Sequence, residues 1–174
     1  MYKLIIYSTL LAVLFSCSNS TQKIENKEVE NIMFSFFSLR ENLILVAPSQ
    51  EQSVVNDLKG YFIVADSANN VIDNIINYKR KHEAVEYGKV YFHKASIIST
   101  KIDDKTLISG SNTIDFDVIV HYKQQVSEQK TPNDREDAHS EGYRIYHIKM
   151  IRTDDNKCKI VSAKLSLNPI ANDY

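Results

Sequence analysis

The spacing of the apolar residues changes once along this chain, at Gly88, and that change limits the possible folds more than any other feature of the sequence. Before Gly88 the apolar positions recur every three or four residues, which is the spacing of amphipathic helices. After it they alternate with polar positions, which is the spacing of half-buried strands. The sequence therefore predicts an α+β domain, with N-terminal helices packed on a four- to five-stranded antiparallel sheet.

Three helices are predicted before Gly88. The first begins at Glu28 and ends before Pro48, and its apolar positions are Val29, Ile32, Met33, Phe36, Phe37, Leu43 and Ile44. Ser53 to Leu58 is short and ambiguous but favours a second helix that Gly60 closes. Asp66 or Ser67 can cap the third helix, whose apolar face carries Val71, Ile72, Ile75, Ile76 and Tyr78.

Four long strands are predicted after Gly88, and a short apolar run, Tyr61 to Ala65, has the length of a fifth. The long strands are Lys89 to Lys101, Thr113 to Val126, Gly142 to Arg152 and Lys157 to Leu167. The first hairpin has two possible turns, Asp103-Asp104-Lys105 and Ser109-Gly110-Ser111-Asn112. The polar stretch Ser127 to Glu141 contains Pro132 and is predicted to be a long exposed loop.

The N-terminus carries an apolar run of twelve residues, Leu4 to Phe15, after the single charge of Lys3. Because a bilayer needs about 20 apolar residues, this run is too short to span one, and its length is typical of a signal peptide. It ends in Leu14-Phe15-Ser16-Cys17, which resembles the lipobox of bacterial lipoproteins. The resemblance implies that residues 1–16 are a removable signal peptide and that Cys17 is lipidated.

Lipid chains on Cys17 would anchor the mature protein to a membrane without spanning it. Residues 17–27 then form a flexible tether, and residues 28–174 form a single α+β domain. Ser18 stands where lipoproteins of this class retained at the inner membrane often carry Asp, so the resemblance implies an outer-membrane lipoprotein. Whether the domain faces the periplasm or the cell exterior stays open.

The composition excludes several classes of function. The 21 Lys and Arg residues nearly balance the 22 Asp and Glu residues, so the chain has no basic field for nucleic acid. Its four glycines, at 60, 88, 110 and 142, are too widely spaced for a phosphate-binding loop, and its two cysteines are too few for a zinc cluster. We therefore expect no nucleic-acid partner and no cofactor.

The order of predicted elements is helix, short helix, short strand, helix and four antiparallel strands. This order resembles the ketosteroid isomerase and nuclear-transport-factor-two-like superfamily over about residues 28 to 168. The resemblance implies a curved sheet that wraps around the helices and leaves a cone-shaped pocket. Members use the pocket for catalysis, for partner binding or for dimerisation, so the fold alone selects no function.

Strand alternation predicts which side chains face the helices. If the Asp154 to Lys157 hairpin is symmetric, three pairs lie on the helix-packed face: Met150 with Val161, Ile148 with Ala163, and Tyr146 with Leu165. Ile114, Phe116, Val118, Val120 and Tyr122 form the matching set on the neighbouring strand. The opposite face then carries Ile119, Tyr143, Ile145, Ile151 and Ile160 among polar residues. This face is either a solvated sheet surface or a partner or dimer interface.

The polar residues of the strands give little indication of chemistry. Symmetric folding of the 127–141 loop would set His121 opposite His147, and His93 could join them, but solvated histidines are favoured and no metal site is predicted. An isomerase of the related superfamily needs a carboxylate in the pocket, and alternation places Asp115 and Asp117 outside it.

The predicted pocket residues are Tyr122 and Tyr146, with Arg144 and Arg152 near the strand ends, and no catalytic residue is identified. Cys158, at the edge of a turn, is predicted to be an ordinary thiol.

The sequence thus favours a non-enzymatic, lipid-anchored cell-envelope protein that binds a protein partner or forms a homodimer, as an accessory subunit of an envelope assembly. Two alternatives stay open: a small-molecule-binding or isomerase-like enzyme that uses the pocket, and an immunity or inhibitor lipoprotein.

Overall fold

The computed structural model describes residues 26–83, 89–109, 112–131 and 133–166. Three helices come first: α1 (Asn26–Leu45), α2 (Pro48–Lys59) and α3 (Ala65–Glu83). Four strands follow, β1 (Lys89–Ser109), β2 (Thr113–Thr131), β3 (Asp134–Arg152) and β4 (Cys158–Leu165). They form one antiparallel sheet in the order β1-β2-β3-β4, with the helices on one face. The predicted α+β architecture is confirmed.

The signal peptide, Cys17 and the tether up to residue 25 lie outside the described residues. In the part of the chain that is described, no helix has both the length and the apolar character needed to cross a membrane.

The core forms where α1 crosses the sheet. Val29, Met33 and Phe37 recur at four-residue intervals along α1 and are at most 2% exposed. They belong to one buried apolar cluster with residues of β2 and β3 that are fully buried: Phe116, Val118, Ile148 and Met150. Burial of each large apolar side chain stabilises the fold by about 1.5–3 kcal/mol, so this layer holds the helices on the sheet.

The prediction of a strand at Tyr61 to Ala65, between α2 and α3, is wrong. Only Phe62 bridges to β4, beside Ile160 in parallel orientation, with backbone hydrogen bonds from Ile63 N to Ile160 O (3.0 Å) and from Ile160 N to Tyr61 O (2.8 Å). A strand cannot continue because α3 already begins at Ala65. The predicted caps Asp66 and Ser67 therefore lie inside the first turn of α3.

The predicted loop from Ser127 to Glu141 is wrong, because β2 and β3 continue through it as a long paired hairpin. Their register runs from Thr113 opposite Ile151 to Thr131 opposite Asp134. The hairpin is polar on both faces, so it lacks the apolar alternation by which strands are recognised in a sequence. Backbone pairing and cross-strand ion pairs such as Lys123 Nζ to Glu141 Oε2 (3.4 Å) hold it instead.

The first hairpin does not turn at Asp103-Asp104-Lys105, because β1 continues past these residues; two residues of the other predicted turn, Gly110 and Ser111, lie outside the described residues. β1 passes through Asp103 and ends at Ser109, and β2 begins at Thr113. The pairing of β1 with β2 shifts at three places, between Phe92 and Lys94, Ile97 and Ser99, and Asp103 and Ile108. Such bulges bend a strand and discourage pairing with a foreign chain at the sheet edge.

One of the three predicted cross-strand pairs is wrong because β4 contains a bulge. Ile148 faces Ala163 and Tyr146 faces Leu165, as predicted, but Met150 faces Ile160. The register shifts between Lys149 and Met150, which leaves Val161 as an extra residue on β4. One extra residue exchanges the two faces of a strand, so Ile160 points into the core and is fully buried.

Candidate functional site

The sheet face opposite the helices carries four of the five residues predicted for a partner or dimer surface. Because β2 and β3 pair without a register shift from Thr113 to Gln129, their odd-numbered residues all lie on this face. Ile119 stands directly opposite Ile145, and His121 opposite Tyr143. The rings of His121 and Tyr143 stack with centroids 4.5 Å apart and planes 19° from parallel.

We call Ile119, Tyr143, Ile145 and Ile151 the outer patch. All four side chains are partly exposed, and Ile151 lies toward the end of β3 opposite Thr113. The fifth predicted member, Ile160, is buried on the helix side and does not belong to this surface. The structure therefore brings Ile119, Tyr143 and Ile145 together on a face that the helices do not cover, and Ile151 lies on the same face about 20 Å farther along β3.

Charged side chains border the outer patch. His147 Nε2 lies 2.7 Å from Asp115 Oδ1, and His147 Nδ1 lies 2.9 Å from Asp117 Oδ1. On the other side, His121 Nε2 lies 2.9 Å from Glu141 Oε1, and this hydrogen bond lowers the pKa of the Glu141 carboxyl. The patch is thus an apolar centre within a polar rim.

The predicted pairing of His121 with His147 is wrong. A symmetric 127–141 loop would set His147 opposite His121. The observed hairpin is centred two residues closer to the N-terminus, so His147 pairs four positions earlier on β2 and faces Asp117. His93 is elsewhere, with Nε2 2.7 Å from the Ser127 hydroxyl. Within the described ranges, no group of three or more His, Cys, Asp or Glu side chains could hold a metal ion.

On the helix side of the sheet, the buried carboxylate of Glu41 forms the centre of a polar cluster. Glu41 is 1% exposed. Its Oε1 accepts hydrogen bonds from Arg40 Nη1 (2.5 Å) and Arg144 Nη1 (3.0 Å), and its Oε2 accepts one from Gln124 Nε2 (2.7 Å). Burial lowers the pKa of the Arg144 guanidinium, but the negative charge of Glu41 and the interactions with Tyr146 and Tyr122 together outweigh that effect and raise the pKa above its usual value.

Glu41 is not among the residues predicted from the sequence, although the sequence contains one signal for it. Glu41 follows Val29, Met33 and Phe37 at the same four-residue spacing, so it continues the buried stripe of α1. A carboxylate at such a position requires hydrogen-bond donors from the structure packed against it, because an unpaired buried charge is very costly.

The two predicted pocket tyrosines both face the helices but have different surroundings. Tyr146 is 6% exposed, and its ring centroid lies 4.6 Å from that of Phe37. Tyr122 is partly exposed, with the Arg144 guanidinium carbon 3.9 Å from its ring centroid. Tyr146 lines a cavity of about 240 Å³ together with Arg40 and Arg144.

Cys158 lies at a second cavity, of about 330 Å³, near the start of α1 and the β3–β4 turn. Burial raises the pKa of the Cys158 thiol, and the negative charge of Glu28 raises it further. A thiol that stays protonated is a poor nucleophile, so the chemistry of this residue is unremarkable.

No protein-family model matches the sequence, and neither does any curated protein. Among solved structures, the chain is similar to an Ntf2-like protein involved in plasmid conjugation, with a TM-score of 0.51 and 10% identity over 85% of this chain. It spans about half of that protein, 51% of its length. This likeness shows that the chain has an NTF2-like fold, as the order of elements predicted.

Two further solved structures show weaker likeness. The intermembrane-space region of the chloroplast protein ARC6 has a TM-score of 0.44 and 10% identity, over 82% of this chain and 97% of that one. CagV, a VirB8 homolog of the T4SS of Helicobacter pylori strain 26695, has a TM-score of 0.44 and 13% identity, over 79% of this chain and 98% of that one.

If the Glu41 carboxylate stabilises the fold through its three donors, removing its charge should destabilise the protein. Replacing Glu41 with Gln should lower the free energy of unfolding by about 3 kcal/mol, because Arg144 and Arg40 lose the carboxylate that neutralises them inside the fold. Urea unfolding of the full-length chain in detergent, followed by circular dichroism, measures the change. Glu30→Gln on the same helix is the matched control and should change stability by less than about 0.5 kcal/mol. Equal losses in the two variants would contradict this account of the cluster.

Proposed function

We propose that this chain is a non-enzymatic, lipid-anchored protein of a bacterial cell envelope that binds a protein partner or a second copy of itself. In this role it serves as an accessory subunit of an envelope assembly. The observation that carries the proposal is the pair of isoleucines, Ile119 and Ile145, at the centre of a sheet face that the helices leave open.

The composition of the outer patch supports protein binding. Stable protein interfaces combine an apolar centre, often aromatic, with a polar rim that stays in contact with water. Ile119, Ile145 and Tyr143 supply the centre, while His147 with its two aspartates lies beside it. His147 Nδ1 and Asp117 Oδ1 in the rim already form a hydrogen bond of 2.9 Å, so a partner would not have to supply one for them.

Three observations support a non-enzymatic role. Asp115 and Asp117 lie on the outer face, away from the interior, and both contact His147. The interior carboxylate of Glu41 is already bound by three donors, so it is not available as a general base. The involvement in plasmid conjugation of the solved protein with similar fold favours the same class of role over catalysis.

The resemblance of Leu14-Phe15-Ser16-Cys17 to a lipobox supports the anchor, and Ser18 supports the outer membrane as its location. A lipidated Cys17 would place the domain at the membrane surface on a short tether. A binding protein of this kind gains from the tether because it raises the effective concentration of any membrane-associated partner.

If the chain is lipid-anchored as proposed, Cys17 and not Cys158 should carry the lipid. With an alkyne-tagged palmitate in a bacterial host, the wild-type chain should be labelled and the Cys17→Ser variant should not, because no other group accepts the acyl chains. Cys158→Ser is the matched control and should be labelled like the wild type. The label is measured by in-gel fluorescence after a click reaction. Label that persists in Cys17→Ser, or is missing from the wild type, would contradict the anchor.

If the outer patch is the binding surface, a charged side chain placed in it should weaken binding of the partner. Ile119→Glu and Ile145→Glu should each reduce the cross-linked complex recovered from membranes at least tenfold, because binding would bury an unpaired carboxylate. Mild cross-linking followed by mass spectrometry measures the complex and identifies its members, and recovery of this chain alone identifies a homodimer.

Ile63→Glu is the control for that experiment, since Ile63 is 49% exposed and lies between α2 and α3, outside the outer patch. All three variants should keep the circular dichroism spectrum of the wild type. If both patch variants assemble as the wild type does, the outer patch is not the interface.

A further inference from the structure

The first half of β3 has a neighbouring strand on one side only. β4 pairs with β3 from Tyr146 to Arg152, and the hydrogen bond from Ser166 N to Ile145 O (2.8 Å) ends that ladder. From Asp134 to Arg144, none of the described strands pairs with β3 on the side away from β2. The side chains from Asp134 to Glu141 are all exposed. We call Asp134 to Arg144 the open edge, which is roughly 35 Å long.

The other edges of the sheet are protected by features that oppose pairing with a second chain. β1 has three register shifts along its length. β4 is short, and Phe62 bridges to it at Ile160. The open edge has neither feature, because its pairing with β2 is regular from Arg135 onward, and it contains no proline. It is therefore accessible to another strand.

Strand alternation determines which backbone groups point out of the open edge. The Ile145 carbonyl points away from β2, because it accepts from Ser166, whereas the Arg152 N–H points toward β2 and donates to Asn112 O (2.9 Å). Odd-numbered residues of β3 therefore direct their N–H and C=O groups outward. In the open edge these residues are Arg135, Asp137, His139, Glu141 and Tyr143.

The charges of the open edge match those of a second copy of the same edge. A two-fold axis at Ala138, perpendicular to the sheet, sets Asp137 opposite the partner's His139 and Arg135 opposite the partner's Glu141. Both pairs join odd-numbered residues, so each pair can exchange two backbone hydrogen bonds. In each pair an acidic side chain lies opposite a basic one on the same face of the sheet, which stabilises cross-strand pairing.

Neighbouring registers lack this match. An axis at Asp137 would set that residue opposite its own copy and Arg135 opposite the partner's His139. An axis at His139 would set Asp137 opposite the partner's Glu141. Like charges directly opposite each other destabilise a sheet. Axes farther toward either end shorten the ladder, because the hairpin turn or the bond between Ile145 and Ser166 interrupts it.

We propose that the open edge pairs antiparallel with the open edge of a second copy of this chain, about a two-fold axis at Ala138. The small side chain of Ala138 suits this position, because two copies of it lie directly opposite each other there. The two sheets join into one continuous sheet, with the helices of both copies on the same side. Both outer patches then lie on the other face, so this dimer does not depend on the proposed function of the outer patch.

A cysteine at the axis tests the proposal, in a Cys158→Ser background that removes the Cys158 thiol. Ala138 would form a non-hydrogen-bonded pair with its copy, whose Cα atoms lie about 4.5 Å apart, within the range of a disulfide. Cells that express the full-length Ala138→Cys chain are oxidised with diamide, and non-reducing electrophoresis with immunoblotting measures the covalent dimer. We expect most of the chain to be recovered as that dimer.

Ser140→Cys is the matched control, because Ser140 is also exposed and lies on the same face of the strand. In the proposed register its two copies lie roughly 14 Å apart, too far for a disulfide, so the dimer yield should be at least tenfold lower. The Cys158→Ser parent should give no dimer. Equal yields from positions 138 and 140, no dimer from position 138, or a disulfide from 138 to a different protein would overturn the proposal.

A charge exchange at positions 137 and 139 tests the register. Added to Ala138→Cys, His139→Asp sets aspartates opposite each other, so the dimer yield at pH 7 should fall at least fivefold. Further addition of Asp137→Lys restores opposite charges and should return the yield to within twofold of Ala138→Cys alone. The residues directly opposite on β2, Ser127 and Gln125, are neutral, so neither change breaks a charge pair with them. A double exchange that dimerises no better than His139→Asp would also overturn the proposal.

Discussion

The carboxylate of Glu41 ties the first helix to the sheet. Transfer of a carboxylate from water into a protein interior costs several kcal/mol, and this cost is offset only if donors surround it in good geometry. Gln124 on β2 and Arg144 on β3 supply two of these donors, and Arg40 on the helix supplies the third. These donors come from three different elements, so the cluster fixes the rotation of α1 that also packs Phe37 against Tyr146 of β3.

With α1 fixed, strand alternation divides the sheet into two surfaces with different character. Even-numbered residues of β2 and β3 face the helices and form the core and the cavity, while odd-numbered residues form the outer patch. Because the β2–β3 register is regular from Thr113 to Gln129, the isoleucines at 119 and 145 meet at the centre of the open face. The proposed partner surface therefore lies on the opposite side of the sheet from the core and the Glu41 cluster.

The sequence predicted what depends on apolar periodicity. The helix face of α1, the core residues of β2 and the pairs Ile148–Ala163 and Tyr146–Leu165 all follow from it and are confirmed. The long β2–β3 hairpin did not follow, because a strand that is polar on both faces has no period to detect. The burial of Ile160 depends on a one-residue bulge at Val161, which alternation cannot indicate. Glu41 was missed because a charged residue on a helix is normally solvated, and only its donors on β2 and β3 make its burial possible.

The account rests on the outer patch as a protein-binding surface, and site-specific photo-cross-linking tests this most directly. Benzoylphenylalanine in place of Tyr143 puts an aromatic cross-linker at the patch with little change in shape, and the same residue in place of Ile63 is the control. After irradiation of intact cells, the account predicts a discrete protein adduct from position 143, with a partner or a second copy of this chain, and none from position 63. Absence of an adduct at 143, or the same adducts from both positions, would contradict it.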